Sequence, residues 1–353
     1  MLDPIAARGR RSRVAEHFDC LLIADPDNLL WLTGQRAIAG PACLVLTGGR
    51  WCLIARHGAL PSLPDVEMIS GSSQVEFSQR IAGLLQRRPA CVDVAPPDST
   101  LLHAAGDHGL HHVGPVIEVL RQVKDADEIQ LIRENVSLLD RALGELEPHV
   151  HTASTEVDLW QTLASALNAA AGGDVEIEGN LASGDVRTRD GDPHASGRRL
   201  QDGDAILLDA YPRIHGYYAD LTRTWCRGEP SAELERLHGA VLTTLHTVGA
   251  ALRPGLTGDD VDRLARRTLD ECGVDSSFPH HTGHGFGVKQ QEEPWLRPGS
   301  STVLGAGMVV AIEPGCYVPG VGGVRLEQDF LITQSGASPL GRESFSLIPQ
   351  GDA

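Results

Sequence analysis

The sequence predicts an α/β domain over residues 1–122 followed by a larger α+β domain over residues 123–353. Three observations carry this prediction. The chain has 353 residues, and at about 150 residues per domain that length holds roughly two. Residues 1–122 alternate short apolar runs with helix-like segments, the pattern of a small α/β fold. The remainder places long amphipathic helices around two strand pairs that carry acidic residues.

In the first domain Cys20–Ala24, Cys43–Thr47, Trp51–Ala55, Val66–Ser70 and Cys91–Ala95 read as strands. Gly48-Gly49 between the second and third is a hairpin signal, because both turn positions of a tight hairpin favour residues free of a Cβ. Gln74–Arg87 and Ser99–Gly106 read as helices. His57, His103, His108, His111 and His112 fall at helix ends or in loops and read as surface residues.

The second domain opens with a helix near Asp125. Asp125 and Glu128 have capping-box spacing, and Ile129, Ile132, Val136, Leu139 and Leu143 keep one helical face apolar until Pro148. A second helix starts near Thr155 and stops at Gly172-Gly173. Ala232–Leu252 and Gly258–Cys272 follow, closed by Pro254-Gly255 and by Gly273.

Composition excludes several function classes. The net charge of −17 disfavours nucleic acid and anionic membrane as partners. No run of 18 apolar residues is present, and the charged N-terminal stretch lacks the apolar core of a secretory signal, so a cytoplasmic protein is expected. Lys124 and Lys289 are the only lysines and neither sits in Gly-Lys-Ser/Thr, which excludes a phosphate-binding P-loop. The seven scattered cysteines contain no CxxC and read as reduced thiols.

Two hairpins concentrate the chemistry. Ala205–Tyr211 is a strand, Pro212–Gly216 a turn and Tyr217–Thr224 the returning strand, which places Asp209 opposite Asp220. Met308–Thr333 repeats the design, with Glu313 and Glu327 paired about Gly320. Opposed like charges destabilise a hairpin, and a bound cation removes that cost. Between the hairpins, residues 279–287 read PHHTGHGFG, a glycine-rich loop that exposes His284. Four carboxylates and one imidazole suit a pair of divalent ions, Mn²⁺, Co²⁺, Fe²⁺ or Zn²⁺. Two such ions about 3.5–4 Å apart bridge a hydroxide and polarise a carbonyl, which is the chemistry of amide hydrolysis without a covalent intermediate.

The ordered set Asp209, Asp220, His284, Glu313, Glu327, in the segments LLDA, YYADLTRTW, HHTGHGFG, AIEPG and GGVRLEQD, resembles the pita-bread metallopeptidases. That family holds Xaa-Pro aminopeptidases, prolidases and methionine aminopeptidases. Asp27-Asn28 with Trp31-Leu32-Thr33-Gly34 is similar to a segment of the creatinase-type N-terminal domain, and Val123-Lys124-Asp125 with Glu128-Ile129 to the linker that follows it. The resemblance implies a ribonuclease-H-like N-terminal domain, a pita-bread catalytic domain, a homodimer, a small peptide substrate and two divalent ions, Mn²⁺ first.

It also implies roles. Asp209 would bind one metal, Asp220 and Glu327 would bridge both, and His284 and Glu313 would bind the other. Glu313 would relay the proton of the activated bridging water. His194 and His280 would contact substrate, His280 on the prolyl side, and Arg325 would meet a substrate carboxylate. Two residues depart from the family pattern. Gln291 stands seven residues after His284, where the family carries a histidine that donates to the substrate carbonyl; an amide donates but carries no proton. Tyr211 stands two residues after Asp209, in place of the usual Asp-Phe-Gly, and would reshape the substrate pocket. The expected activity is therefore Xaa-Pro dipeptidase or aminopeptidase hydrolysis, with a specialised non-peptide amide hydrolase as the alternative.

Overall fold

A computed structural model describes residues 4–35, 41–56, 62–86, 88–106, 109–173, 175–190, 193–274, 278–342 and 344–349; His57 and His108 lie outside them. The chain divides into two compact units, Met1–Arg121 and Gln122–Ala353.

The first unit runs α1 (Pro4–Ala15), β1 (Cys20–Ile23), α2 (Pro26–Thr33), β2 (Ala42–Thr47), β3 (Arg50–Ala55) and β4 (Val66–Ser70). It continues with α3 (Gln74–Leu85), β5 (Ala90–Val92), α4 (Ser99–Ala105) and β6 (Leu110–His112), and α5 (Gly114–Gln122) leads out of it. The strands form one mixed sheet in the order β4-β3-β2-β1-β5-β6. β2 is antiparallel to β1 and β3, and the other neighbours are parallel. Gly48 and Gly49 make the β2–β3 turn with φ of 55° and 74°, as a two-residue hairpin turn requires. His111 and His112 differ from the sequence reading: they lie on β6, an exposed three-residue edge strand too short to show a period of two.

The second unit begins with α6 (Ala126–Leu146), α7 (Glu156–Ala171), β7 (Glu176–Ser183), α8 (Gly184–Thr188), β8 (Ala205–Ile214), β9 (Tyr217–Tyr218) and β10 (Leu221–Cys226). Two helices follow, α9 (Ala232–Ala251) and α10 (Gly258–Glu271). The last strands are β11 (Gly283–Gly285), β12 (Glu292–Leu296), β13 (Val309–Ile312), β14 (Gly315–Val318), β15 (Gly322–Arg325), β16 (Gln328–Ile332) and β17 (Ala337–Pro339). Asp125 with Glu128, Thr155 with Asp158 and Thr257 with Asp260 close capping boxes on α6, α7 and α10. The sheets are β10-β8-β7, β12-β11-β13-β16-β17 and the ribbon β14-β15. Leu237, Val241, Leu245 and Val248 of α9 share one core with Val310, Ile312, Val324 and Phe330, which fixes the strands that carry the acids.

The two hairpins compare differently with expectation. β8 continues through Pro212 to Ile214, and the turn is only His215-Gly216, both at positive φ. The register therefore pairs Asp209 with Thr222 rather than with Asp220. Asp220 lies two residues from Thr222, on the same face and diagonal to Asp209. In the other hairpin the β13–β16 and β14–β15 ladders keep one register, Ile312 with Gln328 and Gly315 with Arg325, which sets Glu313 opposite Glu327. Asn135 of α6 donates to the carbonyls of Ile214 and Tyr217, and Tyr217 Oη donates to Glu128 Oε1 at 2.8 Å. The first hairpin is thus anchored at its turn to the capped start of α6.

Candidate metal centre

The hairpins are joined by side chains as well as by the core. Thr222 Oγ1 donates to Glu327 Oε2 at 2.7 Å, and Arg223 Nη1 donates to the Glu327 carbonyl at 2.7 Å. The Asp220 amide donates to Asp329 Oδ2 at 3.2 Å. These bonds draw Asp209 and Asp220 toward Glu313 and Glu327.

His284 lies mid-strand on β11, not in a loop. Its flanking glycines are needed for close approach: a Cβ at Gly283 would strike the Ala311 carbonyl, and one at Gly285 would lie 2.5 Å from the Glu293 carbonyl. His284 Nδ1 stands 3.0 Å from the Gly285 carbonyl, which puts the proton on Nδ1. Nε2 then offers its lone pair, 3.6 Å from Glu313 Oε1 and 3.7 Å from Asp220 Oδ2.

A cavity of about 480 Å³ opens on these groups, a size that suits a small ligand. Asp209, Asp220, His284, Glu313, Glu327, Tyr211, His280, Gln291 and Arg325 line it. His194 is not among the lining residues; its Nδ1 lies 3.4 Å from the Gly179 carbonyl. Arg325 lines the cavity but is engaged within the protein. Its Nη2 donates to Asp209 Oδ2 at 2.6 Å and its Nη1 to Tyr317 Oη at 3.3 Å, so it does not stand free for a carboxylate. Tyr317 Oη also lies 2.8 Å from His280 Nε2, and His280 Nδ1 lies 2.8 Å from the His281 carbonyl. With Nδ1–H donating to that carbonyl, Nε2 accepts from the tyrosine.

Electrostatics point to bound cations. Burial, and then the charges of neighbouring acids, push the carboxyls of Asp220 and Glu327 well above the ordinary range. Burial also raises Glu313, but the His281 imidazole first, and then the neighbouring His284, His280 and Arg325 side chains, outweigh it and hold that carboxyl at about 2. Burial lowers His284, and it lowers His280 to about 4, so both rings are neutral. Glu313 Oε1 and Glu327 Oε1 are buried without a hydrogen-bond partner. Acids packed this densely, with open oxygen lone pairs and a neutral imidazole nitrogen, fit divalent cations. Two groups bring potential ligand atoms within 4.8 Å of one another: Asp220 with His284 and Glu327, and His281 with His284 and Glu313.

Sequence reasoning passed over six lining residues, Asn180, Arg189, Pro279, His281, Gln290 and Tyr317, and the last three contact the predicted site residues. Gln290 Nε2 donates to Asp220 Oδ2 at 2.9 Å, Tyr317 bridges Arg325 and His280, and His281 stands 3.0 Å from Glu313. The doubled histidine of the HHTGH segment was the available signal for His281; Tyr317 and Gln290 carry none beyond their closeness to Glu313 and Gln291.

Comparison with known proteins gives the lineage. Residues 130–334 match the model of metallopeptidase family M24. The chain belongs to this family. An uncharacterized peptidase of Staphylococcus aureus is 33% identical over 338 residues, which span 90% of this chain and 93% of the relative. Another of Bacillus subtilis is 33% identical over 244 residues, 69% of this chain and 68% of that protein. Among solved structures, the Xaa-Pro dipeptidase from Bacillus anthracis aligns with a TM-score of 0.89 at 25% identity, covering 98% of this chain and 99% of that one. The X-Pro aminopeptidase from Thermotoga maritima aligns at 0.86 and 23% identity, over 96% and 99%, and shares the fold. This M24 protein therefore combines an α/β N-terminal domain with a pita-bread catalytic domain and is a metallopeptidase-like hydrolase. No helix among its described residues is long and apolar enough to cross a membrane.

Proposed function

We propose that the protein is a dinuclear metal-dependent hydrolase of small peptides, an Xaa-Pro dipeptidase or aminopeptidase, with residues 123–353 as its catalytic domain. The observation that carries this reading is the buried cluster of Asp209, Asp220, His284, Glu313 and Glu327 around one small cavity. Two divalent cations held by these five side chains would supply an activated water and polarise the scissile carbonyl. Mn²⁺ suits the oxygen-rich set, and Co²⁺, Zn²⁺ or Fe²⁺ are the alternatives.

The side chains then divide the work. Glu313, ionised in the fold, accepts the proton of the attacking water and passes it toward the leaving nitrogen. Gln291 donates from its amide to the carbonyl oxygen as negative charge develops. Tyr211 and the neutral ring of His280 form walls of the substrate pocket. Arg325 fixes Asp209 in its ligating orientation. The seven cysteines are free thiols, which favours a reducing, cytoplasmic setting, and a homodimer is the assembly the family resemblance suggests.

Gln291 also motivates a second reading, a specialised non-peptide amide hydrolase. One experiment separates them: metal-stripped protein reloaded with Mn²⁺, Co²⁺ or Zn²⁺ and offered Xaa-Pro dipeptides, Xaa-Pro-Xaa tripeptides and small non-peptide amides. Cleavage of the peptides, lost in Asp220→Ala together with metal binding, is the expected result. Turnover that survives metal removal in Asp220→Ala overturns the metal mechanism. Two bound cations with turnover of non-peptide amides alone moves the assignment to the second reading.

A further inference from the structure

His281 is the one imidazole at this centre that the five-ligand reading leaves without a task. Its Nε2 stands 3.0 Å from Glu313 Oε1, and neither atom has a further hydrogen-bond partner. A ring nitrogen of His281 lies within 4.8 Å of the ligand atoms of His284 and Glu313. A nitrogen and a carboxylate oxygen at this separation, each with a lone pair to offer, can both reach one cation between them and His284.

The surroundings hold His281 in place. Its carbonyl takes the His280 Nδ1 contact at 2.8 Å, and Arg266 Nη2 donates to the preceding His280 carbonyl at 2.7 Å. On the other side, Thr282 Oγ1 donates to Asp262 Oδ1 at 2.9 Å, and the Thr282 carbonyl accepts from the Glu313 amide at 2.8 Å. The Trp295 ring stands edge-on to His281, centroids 5.2 Å apart at 85°, and 6.0 Å from the ring of His284. The backbone is thus pinned on both sides and the ring is braced by an aromatic wall, which limits its motion.

We propose that His281 is a sixth ligand, binding through Nε2 the cation that His284 and Glu313 hold. The proposal rests on the metal-centre reading above. It makes the centre asymmetric: one position has two imidazole nitrogens, and the other, at Asp209, Asp220 and Glu327, is all oxygen. The nitrogen-rich position favours Zn²⁺ or Co²⁺ and the oxygen position favours Mn²⁺, so a mixed pair is the preferred occupancy.

The test is metal binding rather than turnover. Metal-stripped full-length protein is titrated with Co²⁺ by calorimetry, and one equivalent of Cu²⁺ is examined by pulsed EPR to count coordinated imidazoles. Wild type is expected to show two imidazoles and His281→Ala one. In His281→Ala and His281→Gln the tighter Co²⁺ step is expected to weaken by about 10–100-fold, with the other step nearly unchanged. One imidazole in the wild type, or both Co²⁺ steps unchanged in the two variants, overturns the proposal. The wild-type imidazole count decides even if neither variant folds. Wild type that binds no Co²⁺ removes the metal centre itself, whereas two Co²⁺ with one imidazole removes only the role of His281.

Discussion

Arg325 Nη2 and Asp209 Oδ2 are 2.6 Å apart, although 116 residues separate them in sequence. Both residues are buried, at 5% and 8% exposure. Removing one member of such a pair leaves a buried charge uncompensated, at a cost of about 3–5 kcal/mol. Arg325→Ala is therefore expected to destabilise the metal-free protein by that order. Mn²⁺ should recover part of the loss, because a cation ligated by Asp209 replaces the missing guanidinium. Urea unfolding with and without Mn²⁺ checks this. An equal loss in both conditions would show that Asp209 shares no cation.

How well the sequence disclosed the centre depended on the turns. Glu313 and Glu327 were legible as a pair because the glycine-rich reversal around Gly320 is close to symmetric and the register follows from it. Asp209 and Asp220 were legible as neighbours but not in register. Pro212 reads as a turn residue, yet here it continues β8, and the chain reverses at His215-Gly216. His215 adopts a φ of 53°, a conformation its residue type does not announce. The capping boxes were legible because they are local; the Arg325–Tyr317–His280 chain was not, because it joins two strands and the segment before β11 by contacts with no sequence period.

Gln291 sets a second expectation. Its side chain lines the cavity, at the position where the sequence resemblance leads to the expectation of an imidazole. One well-placed donor is worth on the order of 10²–10³ in turnover, and an amide supplies the donor without a proton to lend. Gln291→His is expected to raise kcat on Xaa-Pro dipeptides by about tenfold or more and to add a pH dependence near the ordinary histidine value of about 6.5. Steady-state rates across pH measure both. A fall in kcat on every peptide would show that the pocket is built around the amide and favour the non-peptide substrate class.

Cations should stabilise the fold strongly. Asp220 and Glu327 lie side by side with their carboxyls pushed up by burial and mutual repulsion, so the metal-free centre carries a cost that a divalent ion removes. A ligand at 100 times its Kd adds about 2.7 kcal/mol, or roughly 5–10 °C in Tm for a unit of this size. Mn²⁺ or Co²⁺ added to chelated protein should produce a rise of that order in a melting experiment. Asp220→Asn should shrink the rise while making the metal-free protein more stable, since it deletes one repelling charge. A metal-free variant no more stable than wild type would mean that Asp220 is already protonated there.

The clearest pH effect lies away from the centre. His238 on α9 is 6% exposed, its Nε2 has no partner, and burial pushes its imidazole down to about 4 against a weaker opposing contact with the Phe345 backbone. In the unfolded chain the same group titrates near 6.5, to the nearest half unit or so. Between those values the unfolded state binds a proton that the folded state refuses, so stability falls as pH drops from about 6.5 toward 4. At the low end the loss is on the order of 3 kcal/mol. His238→Leu fills the site without an ionisable group, so urea unfolding at about pH 7 and about pH 4.5 should show a smaller acid loss in the variant than in wild type. Identical losses would mean that the folded state admits the proton, and His238 would then have to reach solvent by local opening of α9.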